Sequence, residues 1–314
     1  MTEDRKIRIA VHNGNFHADD CTAFAILSEV YPNNDLIRTR DPVALALCDF
    51  RIDVGGQYNG TTDFDHHQRD FAEFRPGEKE GDRGIKYASA GLIWKHFGRA
   101  FIASRNSDLT DEQADFILRE IDEQFIRYID ANDNGITLGD ENLPTYPKIV
   151  FMLNYRYGFH NLTGFRKGAD MARDTIAGYV EYLSKYLESE AVVLKALKGH
   201  EGEPVLLVEQ RAAFQEVVNR NWDLFEGVQL LVYPEIETDR WRVKSLGADP
   251  KDRFKNRCLA PVSWRGLSGE QLEQVSGIQG AEFVHPNGFT GGGRGKEETL
   301  AMARKWHELT AAGA

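Results

Sequence analysis

Apolar and polar positions along the first fifty residues alternate between two periods. Ile7-Arg-Ile-Ala-Val11 is short, branched and apolar, which predicts a buried strand that delivers His12 at its C-terminal end. Ala23, Phe24, Ile26, Leu27 and Val30 then recur with helical spacing. Asp35 to Thr39 predicts a second strand, Pro42 to Leu47 a short helix opened by proline, and Phe50 to Val54 a third strand ending at Gly55-Gly56. Strand, helix, strand, helix, strand predicts right-handed crossovers and a mostly parallel sheet. Ligand sites of such sheets gather at the carboxyl ends of the strands. His12, Asp53 and the triplet Asp65-His66-His67 all fall at or just after such ends.

Farther along, Arg75 to Lys86 has the proline, glycine and charge mix of a loop. Helices are predicted over Ser89 to Ala103 and Asp111 to Ile129, the second capped by Thr110 or Ser107 and stopped by Asp130-Ala-Asn-Asp133-Asn-Gly135. A long helix is predicted over Ala169 to Leu197, with Ile176, Val180, Leu183 and Leu187 on one face. Strands return at Pro204 to Val208, Val228 to Tyr233 and Arg240 to Ser245, the last two joined by a hairpin-type connection. The segment Gly199 to Glu203 therefore divides a first domain, residues 1–199, from a second, residues 200–314. No internal repeat stands out.

Composition narrows the class. With 41% hydrophobic and 28% charged residues among 314, the chain reads as a soluble globular protein. The first residues hold no signal-peptide or transit pattern, so a cytoplasmic location and no membrane partner are expected. Cys21, Cys48 and Cys258 are too scattered for a disulfide framework or a thiolate zinc site. A net charge of −11 argues against nucleic-acid binding over the whole surface, though not against a local basic patch or bound metals handling phosphate.

Two clusters carry the chemistry. His12-Asn-Gly-Asn-Phe-His17-Ala-Asp19-Asp20 and Asp63-Phe-Asp65-His66-His67 pack carboxylate and imidazole too tightly for a core, where unpaired they would repel or be costly to bury. Divalent metal ions need such groups. Two-metal hydrolysis of a phosphate ester uses several oxygen and nitrogen ligands, a bridging carboxylate and a water between the ions. The candidate ligands are His12, His17, Asp19, Asp53, Asp65, His66, His67 and Asp130 or Asp133. Mixed imidazole and carboxylate ligation favours two Mn²⁺ ions, with Mg²⁺ harder to hold through histidine. Asp20 could instead begin a helix, where a carboxylate suits the dipole, and Asp133-Asn-Gly could be a plain turn.

A second signal lies near the end of the chain. His285-Pro-Asn-Gly-Phe-Thr-Gly291-Gly292-Gly293-Arg294-Gly-Lys296, followed by a helical run from Glu297 to Trp306, predicts a loop opening onto a helix N-terminus. Backbone N–H groups there suit an anion, with Arg294 and Lys296 adding charge; a flexible turn is the plain alternative. The GxxxxGK[ST] pattern of nucleotide triphosphatases is absent.

Taken with Arg38-Thr-Arg40-Asp-Pro42, Asp53-Val-Gly-Gly56, Ser89-Ala-Gly-Leu-Ile-Trp94, Trp264-Arg-Gly-Leu267 and Val275-Ser-Gly-Ile, these stretches resemble the Myg family (melanocyte-proliferating-gene-type proteins). That family is a branch of the DHH phosphoesterase superfamily. The resemblance implies an α/β DHH-type domain, with helices on both faces of a mostly parallel sheet, and a smaller α+β substrate domain across a cleft. It implies a Mn²⁺- or Mg²⁺-dependent 3′→5′ exonuclease of single-stranded or short RNA. By the same resemblance His12, His17 and Asp19 form the first ligand motif, Asp53 is the bridging carboxylate, and His66 is the ligand of the triplet. His67 is left to contact phosphate or donate a proton, and Asp130 matches the fourth motif better than Asp133. Gly291 to Gly293 and Arg294 resemble the superfamily's Gly-rich substrate loop, and Lys296 and His285 beside them are further candidate substrate contacts. Rival readings are a small-molecule phosphatase, pyrophosphatase or nucleotide phosphodiesterase on the same site, and a non-catalytic RNA-binding regulator. A zinc amidohydrolase lacks its histidine set. A homodimer is compatible with all of them.

Overall fold

A computed structural model of the chain describes residues 5–78, 84–140, 142–235, 238–249 and 251–312. The extreme N-terminus read for targeting signals, residues 79–83 of the expected polar loop and residues 236–237 of the expected hairpin connection lie outside the described residues. The chain divides into two compact units, Met1–Ser184 and Lys185–Ala314.

The first unit is built on β1 (Ile7–Val11), α1 (Ala18–Val30), β2 (Asn34–Arg38), α2 (Pro42–Leu45), β3 (Phe50–Ile52) and β4 (Asp63–Phe64). All pairings in the sheet are parallel, in the order β2-β1-β3-β4, with Ile9 beside Leu36 and Phe50. The crossovers explain the composition of α1, which is buried nearly all round because it is covered on every side. Ala10 faces one side of the sheet with Ile37, Leu45, Cys48 and Val54. Strand alternation turns its fully buried neighbours Ile9 and Val11 to the other.

Helix α3 (Ser89–Arg105) packs against α1 and is followed by α4 (Asp111–Ile121), capped by Thr110, whose hydroxyl accepts from the Gln113 N–H. Between α4 and α5 (Arg127–Asp133) the helix runs on through one π turn, Asp122–Ile126. Arg75 is buried against this run, its guanidinium paired with both Asp122 and Asp130 and 5.1 Å from the Tyr87 ring centre. Helix α6 (Tyr146–Tyr157), which periodicity does not predict, precedes α7 (Leu162–Lys198). The helix expected over 169–197 thus starts seven positions earlier, at Leu162.

The second unit holds β5 (Val205–Leu207), α8 (Phe214–Arg220), β6 (Leu230–Pro234), β7 (Trp241–Ser245), the ribbon β8 (Gly247–Asp249) and β9 (Asp252–Asn256), α9 (Gly269–Ser276), β10 (Ala281–Val284), β11 (Thr290–Gly293) and α10 (Lys296–Ala311). Its sheet runs β10-β11-β7-β6-β5, antiparallel except for β5 with β6, over a core that includes Trp264, Met302 and Trp306. The whole is a mixed α/β protein with a mostly parallel sheet in its first unit. No helix among the described residues is long and apolar enough to cross a membrane.

Here one expectation is corrected. Gly291, Gly292 and Gly293 are strand residues of β11, paired on both sides, rather than a loop. A methyl at Gly291 would lie 2.7 Å from the Phe283 carbonyl oxygen, and one at Gly292 2.7 Å from that of Trp241. The glycines are there because the neighbouring backbones leave no room for a side chain.

Candidate metal centre

The strand ends of the first unit bring the acid and imidazole side chains together. His12 follows β1, His17 caps α1 and Asp19 and Asp20 sit in its first turn. Asp53 follows β3, and His66 and His67 follow β4. Asp53 is the sole non-glycine residue with a positive φ among the described residues, at 54°. That left-handed conformation is uncommon for a side-chain-bearing residue and aims the carboxylate back across the sheet end.

Asp53 is shared. Its Oδ2 lies 3.2 Å from His12 Nε2, and its Oδ1 lies 3.4 Å from His66 Nε2 and 3.2 Å from His67 Nδ1. Three groups of potential ligand atoms overlap, each group within 4.8 Å: His12, His17 and Asp53; Asp53, His66 and His67; Asp19, His66 and Asp133. Asp53 belongs to the first two and His66 to the last two, so the three groups form one continuous cluster. His66 Nε2 is also 3.1 Å from Asp133 Oδ2.

The arrangement fits bound cations. Asp20 Oδ2, Asp53 Oδ1 and His66 Nε2 each lie within 3.4 Å of an ionisable neighbour, yet none is aligned for a hydrogen bond. Buried charged atoms left so are costly, and a divalent ion would satisfy them together. Electrostatics agrees. Burial, reinforced by Asp133 and Asp53, pushes the Asp19 carboxyl well above its usual range. Burial likewise pushes Asp20 up to about 7, against the pull of His12.

The imidazole protons are held firmly. Burial disfavours the His66 imidazolium, but the adjacent Asp133 and Asp53 carboxylates outweigh it and raise the pKa to about 11. Asp53 and Asp65 raise His67 to about 10. Both lie above the ordinary imidazole value, so these ion pairs stabilise the metal-free protein fully below that value. Their contribution is lost as pH rises through about 10 to 11. Both rings carry protons at pH 7, and a ligand imidazole must shed its own. Manganese titrated calorimetrically into metal-free protein at pH 7, in two buffers of different ionisation enthalpy, is expected to show net proton release. Affinity should rise with pH. Buffer-independent heats would mean the imidazoles are already neutral.

Two expected ligands are placed elsewhere. Asp130 is fully buried and turned away from the cluster: its carboxylate pairs with Arg75 and accepts the Gly91 N–H at 3.0 Å. Asp133, one helical turn later, is the carboxylate that reaches His66. Asp65 stands behind His67, accepting from its Nδ1 at 2.8 Å, from its backbone N–H at 3.0 Å and from the Gly56 N–H at 2.6 Å. It orients a ring rather than joining a ligand group. Asp19 does double duty: its oxygens accept from the Ser89 and Ala90 N–H groups at the start of α3.

Sequence reasoning gave Asp20 only its helix-starting role, which the structure bears out, and gave Arg40 and Arg75 no part in the site. Asp20 accepts from the His17 N–H at 2.7 Å as a helix cap and also faces His12 at 3.2 Å. Arg40 lines the cavity of about 790 Å³ that opens on His12, His17, Asp53, His67 and Asp133, and is held by the Asn13 carbonyl and side chain. Arg75 fixes Asp130. In the second unit, His285 accepts from the Asn287 N–H and packs 4.6 Å from Phe289. Lys296 pairs with Glu209, and Arg294, 73% exposed, lies 3.8 Å from Glu273.

Comparison with known proteins places the chain in a family. The model of a family described as an uncharacterised protein family, MYG1 exonuclease type, matches residues 8–306. The MYG1 exonuclease of Rattus norvegicus is 35% identical over 321 residues, covering 95% of this chain and 84% of that protein. The human MYG1 exonuclease is 34% identical over 323 residues, covering 95% of this chain and 85% of that protein. A MYG1 protein of Schizosaccharomyces pombe is 31% identical over 95% of this chain and 97% of its own. Among solved structures, a pGpG-specific phosphodiesterase from Vibrio superposes with a TM-score of 0.30 at 13% identity, over 98% of this chain and 100% of that one. RecJ with Mn²⁺ from Thermus thermophilus gives 0.29 at 15% identity, over 98% of this chain and 52% of that one. Likeness at that level carries no argument. The match over nearly the whole length does: the chain belongs to the MYG1 exonuclease family and is a metal-dependent phosphoesterase.

Proposed function

We propose that the protein removes nucleotides from the 3′ end of single-stranded or short RNA, using two divalent ions, Mn²⁺ in preference to Mg²⁺. One observation carries this reading: three ligand groups, fused through Asp53 and His66, at a cavity whose rim carries an arginine. Bound ions would supply Lewis acidity and a water made acidic enough to attack at neutral pH. His12, His17 and Asp53 would hold one, and Asp53, His66, Asp19 and Asp133 the other.

The chain's own groups do the rest. Asp65 engages His67 Nδ1, which leaves Nε2 of a ring 62% exposed to face substrate and deliver a proton to the leaving oxygen. Arg40 anchors a phosphate with a guanidinium already oriented by Asn13. A cavity of about 790 Å³ is within the roughly 300–1,000 Å³ of sites that enclose a small ligand, which suits a terminal nucleotide better than an internal stretch of strand. Arg294, Lys296 and His285 are proposed as contacts of the second unit with substrate.

The test offers purified protein with Mn²⁺, with Mg²⁺ and without metal to single-stranded RNA labelled at either end, single-stranded DNA, dinucleotides and pyrophosphate. Metal-dependent release of mononucleotides from the 3′ end of RNA is expected. In the same assay Arg40→Ala should raise KM by about tenfold or more, the value of a charge-assisted contact, and leave kcat close to wild type. Hydrolysis of DNA or pyrophosphate alone would remove the RNA reading, and an unchanged KM would remove Arg40 from phosphate binding.

A further inference from the structure

Helix α6 and the turn after it carry aromatic rings on the outside. Phe151 is 49% exposed, Tyr155 67% and Phe159 40%. They stand four positions apart and touch edge to face, with ring centres 5.2 Å and 5.6 Å apart, so they form one row. Rings this large are ordinarily buried, and a contiguous row left in water marks a binding surface.

Charge says what kind. From Asn142 to Ala169 the chain has Lys148, Arg156, Arg166 and Lys167 and no Asp or Glu, although the whole chain has 49 acidic residues against 38 basic ones. All four cations are exposed. Arg156 and Lys167 lie 5.5 Å and 5.9 Å from the ring centre of Tyr157, so cations and aromatics are interleaved. An acidic chain that keeps one segment free of acid, and sets flat rings among its cations, is complementary to a polyanion with planar groups.

The adjoining, buried face of α6 ties this surface to the metal centre. Asn154, buried on that face, accepts from the Phe16 N–H at 3.1 Å and donates to the Phe16 carbonyl at 2.8 Å. Phe16 immediately precedes the candidate ligand His17. The helix that carries the aromatic row and the ligand-bearing loop are thus joined through a buried side chain.

We infer that Phe151, Tyr155 and Phe159 form a base-stacking platform that holds a single-stranded nucleic acid upstream of the nucleotide being removed. The inference rests on the proposed action on nucleic acid and adds where the strand lies. Stacking is tolerant of sequence because every base has a flat face, so the platform would bind strands of any composition.

Binding is measured on metal-free protein, where nothing is cleaved, by fluorescence anisotropy of a labelled single-stranded oligoribonucleotide several residues long. Hydrolysis of a dinucleotide is measured separately with Mn²⁺. Tyr155→Ala and Phe151→Ala together are expected to weaken oligonucleotide binding at least about tenfold while dinucleotide hydrolysis stays at the wild-type rate. Tyr155→Phe should restore binding, and Tyr155→Leu, apolar but without a ring, should not. Oligonucleotide binding unchanged in the double variant, or restored by leucine, overturns the platform. So does a wild-type dimer that the double variant converts to monomer with unchanged binding, because a second copy then covers the row. Wild-type protein that binds no oligonucleotide also overturns it. Loss of all hydrolysis, dinucleotide included, would count instead against the catalytic reading.

Discussion

Asp53→Asn is expected to lower turnover by at least about a thousandfold while the protein remains folded. The reasoning starts from the backbone. At φ 54° asparagine is tolerated nearly as well as aspartate, so the substitution changes charge without moving the chain. What it removes is the one carboxylate within 3.4 Å of His12, His66 and His67 together. Two ligand groups lose their common member at once, and the preorganised negative charge that would hold two cations side by side goes with it. Circular dichroism should superimpose on wild type, and manganese binding followed by calorimetry should weaken in parallel with activity. Turnover within about tenfold of wild type would show that Asp53 bridges nothing.

The largest effect on stability is expected far from any ligand, at Gly91. A methyl there would overlap Asp130 Oδ2 and lie 2.7 Å from both Asp130 Cγ and Tyr87 Cδ1. Asp130 has nowhere to retreat: it is fully buried and held between Arg75 and the Gly91 N–H. Gly91→Ala must therefore push the carboxylate off the guanidinium or displace α3. Breaking a buried ion pair costs about 3–5 kcal/mol, because the partner charge remains in the interior. For a unit of this size that corresponds to a thermal midpoint lower by roughly 10 °C. A variant within about 2 °C of wild type would mean that Arg75 and Asp130 contribute little and that the helix pair relaxes freely.

What the sequence disclosed depended on distance along the chain. His12, Asp19, Asp53, His66 and His67 were legible because a parallel sheet brings its strand ends to one edge, and each residue follows an apolar run within a few positions. Asp65 was legible as part of the same cluster but not in its role, since adjacency cannot say which of two neighbours turns toward a third. Arg75 could not be found at all. It lies in a polar stretch that resembles a surface loop, and only the fold shows it buried beneath Tyr87 between two carboxylates. The β11 strand was hidden for the opposite reason: strand periodicity is read from side chains, and three consecutive glycines have none. Helix α6 escaped because its outward face is aromatic, so apolar residues mark both sides and no stripe appears.

The π turn at Asp122–Ile126 has a consequence for how relatives of this chain are aligned. A regular helix advances about 100° per residue, so Asp122 and Asp130 would stand about 80° out of phase. The extra residue accommodated by the π turn makes eight positions behave as seven, within about 20° of two full turns, and one guanidinium reaches both carboxylates. Asp133, three residues on, is then rotated away from Arg75 and toward His66. The turn acts as a phase setter, deciding which aspartate is a structural anchor and which faces the cations. A relative with a one-residue gap between positions 122 and 126 is therefore expected to run on as regular helix, with its two acids seven positions apart and in the same phase. Regularising the turn without losing a residue would instead set the two carboxylates about 80° apart, out of reach of one guanidinium.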